Sequence, residues 1–162
     1  MERKGKKKSI ILNIRDDDPC YYTDHNELDN VYNTILEKFK ISSGIVPFAD
    51  KSHIKAYKID NAGTYSKNLF EKFTSINSDH INKLNDTYIF NNVELKSFIK
   101  KAYASNKIEL CIHGITHKYS NSGAELINLD KNLTEKLNQV KELLQEDIDI
   151  QINNFIPPSN TI

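Results

Sequence analysis

Two groups of residues in this chain could do chemistry. One is the run Asp16-Asp17-Asp18 in NIRDDDPCYYT, and the other is the pair His113 and His117 in CIHGITHKY. Three adjacent carboxylates repel one another unless something positive sits among them. Two imidazoles at i and i+4 point the same way if the segment makes one turn, about 6 Å apart at their backbones, and so suit one metal ion. Two histidines and one carboxylate leave coordination positions open, as at a catalytic divalent centre, and Zn²⁺ suits that donor set. One aspartate is then expected to bind the ion, while a neighbour turned elsewhere stays free to take a proton from water. Each group also has a plain alternative. An Asp-rich run serves as a solvated turn, and an H-x-x-x-H spacing arises by chance.

The elements around these residues decide between the two. Ser9 to Ile14 is a compact β-favouring run and reads as a first strand, with the acidic run directly behind it. Asp24 stands three residues before Glu27 as a helix start, and Leu28, Val31, Tyr32, Ile35 and Phe39 recur at helical spacing. Residues 44–48 read as a second strand ended by Pro47. Between Ala49 and Asn91 the pattern is poor: Leu69, Phe70 and Phe73 suggest one helix, Ile81 and Leu84 a short second. Leu95, Phe98, Ile99, Ala102 and Tyr103 share a helical face, with Asn106 as its stop and Ile108 to Ile112 as the next strand. Leu133, Leu137, Val140 and Leu144 mark a further helix, and Asn154 to Ile156 a last strand before Pro157 and Pro158.

Strands followed by helices predict an α/β fold with a parallel sheet. Ligands of such sheets sit beyond the carboxyl ends of the strands. That rule places the acidic run, HGITH and PPSN at one face.

Composition limits the functions available. The chain has 162 residues, with Lys plus Arg equal to Asp plus Glu at 22 each, so no global field draws it to nucleic acid or an anionic membrane. Residues 1–8 carry Arg3, Lys4, Lys6, Lys7 and Lys8 and read as a solvated basic arm ahead of one domain over 9–162. No run has the length of a membrane span or the pattern of a secretion signal. Cys20 and Cys111 make no disulfide framework, so a cytoplasmic location is expected, with Cys111 packing as a small apolar strand residue. His25, between Asp24 and Asn26, reads as a helix-start residue.

The motifs resemble those of the polysaccharide deacetylases. Asp16-Asp17-Asp18-Pro19 with Tyr22-Thr23 resembles their T-F-D-D-G-P motif, HGITH their H-[ST]-x-x-H motif, and Phe155-Ile156-Pro157-Pro158 the proline-containing segment that lines the substrate groove. The resemblance implies a distorted (β/α) barrel, here incomplete and corresponding to the N-terminal portion. It implies hydrolysis of the acetyl group of an N-acetylated saccharide, in cell-envelope glycan metabolism. Carried over by position, it makes Asp16 the general base, Asp17, His113 and His117 the ligands of a divalent metal, most simply Zn²⁺, and Pro157, Pro158 and Asn160 substrate-binding residues.

Five features depart from the pattern. Arg15 stands where an aromatic residue is usual and Asp18 where glycine is, so the register also fits one residue later, with Asp17 as base and Asp18 as ligand. Gly114 replaces a small hydroxyl residue. The arginine that steadies the base is not found before Pro157, and the histidine acid of the family lies further along than this chain extends. The expectation is therefore a fragment or a shortened relative that needs an oligomer partner. Two other functions stay open: an inactive metal- or sugar-binding relative, and a metallohydrolase for another ester or phosphate.

Overall fold

In the computed structural model, residues 12–49, 87–117, 119–120, 123–125 and 133–158 are described. The expected helices around Leu69 to Phe73 and Ile81 to Leu84, the basic residues 1–8 and Asn160 lie outside them. Four strands, β1 (Ile14–Asp17), β2 (Ile41–Ile45), β3 (Ile108–Ile112) and β6 (Asn154–Phe155), pair in parallel in the order β1-β2-β3-β6. Between them in the chain lie the helices α1 (His25–Leu36), α2 (Val93–Ala104) and α3 (Leu133–Ile148). A short 3-10 turn, Ile89–Asn91, precedes α2, and a two-stranded ribbon of β4 (Tyr119–Ser120) and β5 (Gly123–Ala124) follows β3. The α/β architecture with a parallel sheet is as expected. Closure into a barrel is not seen among the described residues, where the sheet has β1 and β6 as its edges.

The core is built from one face of the sheet and three amphipathic helices. Side chains alternate across a strand, so Ile41 and Ile45 of β2 and Ile108, Leu110 and Ile112 of β3 share a face. Against them pack Leu36 of α1, Leu95, Ile99 and Ala102 of α2, and Val140, Leu144 and Ile148 of α3, with Leu28, Tyr32 and Ile35 partly covered beside them. The spacing Val140, Leu144, Ile148 follows the i, i+4 stripe of a helix that buries one side. Burial of such side chains contributes about 1.5–3 kcal/mol each and outweighs the poor helix propensity of the β-branched members. The opposite face of the sheet is polar: Asn154 donates to Glu109 at 2.7 Å, and Arg15 pairs with Asp17.

Local signals set where the helices start and stop. The Asp24 side chain accepts from the Asn26 N–H at 2.9 Å and caps α1. Asn92 caps α2 by accepting from the Leu95 N–H at 3.0 Å. Its amide also donates to the Tyr21 and Thr23 carbonyls at 2.9 and 3.0 Å, which ties the start of α2 to the loop behind the acidic run. Asn106, at φ +55°, stops α2 as expected, because asparagine tolerates the left-handed region.

The first two strands begin and end elsewhere than expected. β1 starts at Ile14, so the acidic run is not a loop behind the strand: Asp16 and Asp17 belong to it and pair with Ser43 and Gly44. β2 covers Ile41–Ile45 rather than residues 44–48. Ser42 and Ser43 obscured its apolar alternation, yet Ser43 is buried in the sheet. Val31 and Phe39, read as helix-face residues, are exposed; Phe39 lies beyond the end of α1. The strand Ile108 to Ile112 is as read, and Cys111 is buried within it.

Candidate metal centre

Hydrogen bonds continue past the strand ends and hold three segments side by side. The Asp18 N–H donates to the Gly44 carbonyl at 3.0 Å, His113 N–H to Ile45 at 2.8 Å, and Ile156 N–H to Ile112 at 2.8 Å. The carboxyl edge of the sheet therefore fixes where the chain leaves β1, β3 and β6. Asp18 turns out of β1 at φ +82°, a left-handed conformation that aspartate tolerates better than most residues.

There Asp18 meets both histidines. Its Oδ1 lies 3.4 Å from His113 Nε2 and 3.3 Å from His117 Nε2, and the ring centroids are 5.0 Å apart at 40°. All three donor atoms lie within 4.8 Å of one another. Tetrahedral Zn²⁺, with bonds of about 2.0–2.2 Å, sets its ligand atoms about 3.3–3.5 Å apart. The two Asp18 distances match that edge and exceed a normal N–H···O hydrogen bond of about 2.7–3.2 Å. Donor type and the two Asp18 separations thus suit a divalent cation.

His113 is oriented for this. Its Nδ1 lies 3.0 Å from the Ile156 carbonyl, which can only accept, so Nδ1 carries the proton and Nε2 presents its lone pair to Asp18 and His117. Burial pulls the His113 pKa down, but the Asp18 contact and charge, the Asp17 charge and the Ile156 carbonyl outweigh it and leave it raised.

The histidine loop is not one helical turn. Gly114 adopts φ +71° and His117 φ +53°, and the turn wraps around a carboxylate. Glu125 accepts from the N–H groups of Ile115 (3.0 Å), Thr116 (2.8 Å) and His117 (3.1 Å) and from the Thr116 hydroxyl (2.9 Å). A Cβ on Gly114 would stand 2.6 Å from Glu125 Oε2 and 2.6 Å from Pro158 Cγ, so only glycine fits.

The three aspartates face three ways. Asp16 lies on the helix-covered face among Leu28, Tyr32, Leu36, Phe98 and Ile99; burial raises its pKa, beyond what a Tyr32 hydrogen bond restores, and the charges of Asp17 and Asp18 add to the rise. Asp17, on the other face, pairs with Arg15 at 2.8 Å, while its Oδ1 is buried without a hydrogen bond among the described residues. A Cβ on Gly44 would come 2.9 Å from that Oδ1 and 3.3 Å from His113 Cβ, so the missing side chain lets Asp17 and His113 adjoin across β2.

Asp17, expected as the third ligand, stands apart from this group, whose members are those of the register one residue later. The structure groups Asp18, not Asp17, with His113 and His117, because alternation along β1 turns Asp17 toward Arg15 and the chain bends only at Asp18. The same alternation puts Asp16, expected as the base, under α1. Of the expected substrate residues, Pro158 is buried against Gly114 and Pro157 is half-buried. Arg15, Gly44 and Glu125 were not singled out as part of the site. No sequence signal marks Gly44 or Glu125, since both act through contacts made only in the fold; Arg15 was visible as a charge two residues before Asp17.

No helix among the described residues is long and apolar enough to cross a membrane. Comparison with protein-family models, with curated proteins and with solved structures finds no match.

Proposed function

We propose that this chain is a metal-dependent deacetylase of N-acetylated saccharides, with Asp18, His113 and His117 holding a divalent cation, most simply Zn²⁺. The observation that carries the reading is the triad itself, a two-histidine, one-carboxylate set at the carboxyl edge of a parallel sheet. The likeness of the DDDP and HGITH motifs to those of polysaccharide deacetylases supplies the reaction class. Consecutive strands side by side, with three helices sharing one core, are also the arrangement with which a (β/α) barrel begins.

The cation, when bound, supplies a Lewis acid that polarises the acetyl carbonyl and makes water more acidic. The chain's own residues divide the remaining work. Asp17 takes the proton from the attacking water, since its Oδ1 adjoins His113 and has acceptor capacity to spare. Arg15 holds the other oxygen of Asp17 and orients that carboxylate. It thereby fills from β1 the place that the family gives to an arginine ahead of the third motif. The water oxygen bonds to the acetyl carbon, and the proton held by Asp17 passes to the nitrogen as the carbon–nitrogen bond breaks, leaving acetate and a free amine. Asp16, under α1, has no part in these steps.

The test is acetate release from N-acetylglucosamine oligomers by protein loaded with one equivalent of Zn²⁺. Stoichiometric release that stops with a chelator supports the reading. Tight, stoichiometric metal binding without acetate at high protein concentration supports instead a relative that binds without turnover.

A further inference from the structure

We infer that Glu125 is the positioning residue of this centre: an internal anion around which the HGITH loop folds, and without which His113 and His117 do not converge. The inference rests on the metal-binding reading above and names the part that builds it.

Three successive backbone N–H groups, of Ile115, Thr116 and His117, point at one carboxylate, with the Thr116 hydroxyl as a fourth donor. Consecutive N–H groups that converge in this way form a concave anion site, and such sites in turns bind phosphates and other anions. Here the anion is part of the chain. Both oxygens are used: Oε1 takes Thr116, and Oε2 takes Ile115 and His117. Hydrogen bonds to an ionised acceptor are roughly twice as strong as neutral ones, so the four act as a rigid clamp.

The clamp offsets a conformation that the loop would not otherwise hold. His117 sits at φ +53°, a conformation that strains a non-glycine residue and persists only when its surroundings impose it. The Glu125 bond to the His117 N–H is made at that strained residue. On the other side, Gly114 is packed between Glu125 Oε2 and Pro158 Cγ, so the carboxylate also fixes where the loop leaves His113. Glu125 thus touches the backbone at or beside each histidine ligand while contributing no donor atom to the Asp18-His113-His117 group.

Glutamine tests this with little change of shape. Its amide offers one acceptor oxygen and turns an NH₂ group toward N–H donors, so one half of the clamp becomes repulsive. In metal-free protein we expect Glu125→Gln to keep the far-UV circular dichroism and cooperative melting of the parent. The amide protons of Ile115, Thr116 and His117 should lose their protection against exchange, and the ring resonances of His113 and His117 should shift. In a Zn²⁺ titration the variant should bind about 10–100-fold more weakly. Glu125→Ala should do the same, with affinity partly restored by added formate as a replacement anion.

Unchanged amide protection and ring resonances in Glu125→Gln would overturn the inference, whatever the parent does with metal. Unchanged Zn²⁺ affinity in a variant whose parent binds tightly would overturn it too. A parent that binds no metal, with loop protection still lost in the variant, would remove the metal reading and leave the loop anchor standing.

Discussion

Asp18 Oδ1 lies 3.4 Å from His113 Nε2 although their strands are not neighbours, since β2 stands between β1 and β3. The two reach each other because both chains have just passed the carboxyl edge of the sheet; beside them Gly44, which pairs with Asp17 and Cys111, has no side chain and leaves room between Asp17 Oδ1 and His113 Cβ. The centre is therefore a product of strand register as much as of residue type.

Gly44→Ala should disturb it from within the sheet. A Cβ would fall 2.9 Å from Asp17 Oδ1, 3.2 Å from Ile156 Cδ1 and 3.3 Å from His113 Cβ. Asp17, held by Arg15, cannot retreat without loosening that pair. We expect acetate release to fall by about tenfold or more, as misplacement of reacting groups costs, with melting lowered by only a few degrees, ~1–3 kcal/mol of overpacking. Steady-state kinetics and thermal melting check both.

Arg15→Gln should separate orientation from binding. Losing the guanidinium leaves the Asp17 carboxylate without its partner while the Asp18-His113-His117 group is untouched. The expected result is a kcat lower by about 10–100-fold with stoichiometric Zn²⁺ binding retained. Asp17→Asn should lower kcat further and also keep the metal.

Asp16 should show itself in stability. Its carboxyl pKa is raised above the ordinary carboxylate range, first by burial. An acid raised in the fold favours folding while protonated, so this contribution is full below the unfolded value and is lost as pH rises through the folded one. Above the folded value the charge on Asp16 is thus a cost. Asp16→Asn should melt higher than the parent once the pH exceeds the folded value, with the gap closing as pH falls through it, and should keep its acetate release. Loss of activity in a folded, metal-loaded Asp16→Asn would return the base to Asp16.

How much of this could be read from the sequence follows the range of the forces involved. The stripes of α2 and α3 and the strand Ile108 to Ile112 were legible because their apolar periodicity is local. So was the meeting of the end of the acidic run with HGITH, because Asp18 and His113 each come directly after a strand of a parallel sheet. The choice among Asp16, Asp17 and Asp18 was not. It turns on a strand that runs from Ile14 to Asp17 and on alternation counted along it, and a shift of one residue moves every side chain to the other face. β2 was obscured by Ser42 and Ser43, whose polarity hides a buried strand. Glu125 was invisible because its role is to hold backbone N–H groups, and backbone carries no residue signature.

The most direct test is the stoichiometry of Zn²⁺ binding by isothermal titration in the parent, Asp18→Asn and Asp17→Asn. The structure groups Asp18 with His113 and His117, so the parent and Asp17→Asn should bind one equivalent and Asp18→Asn should not bind stoichiometrically, as should neither His113→Ala nor His117→Ala. One equivalent retained by Asp18→Asn and lost by Asp17→Asn would contradict the account.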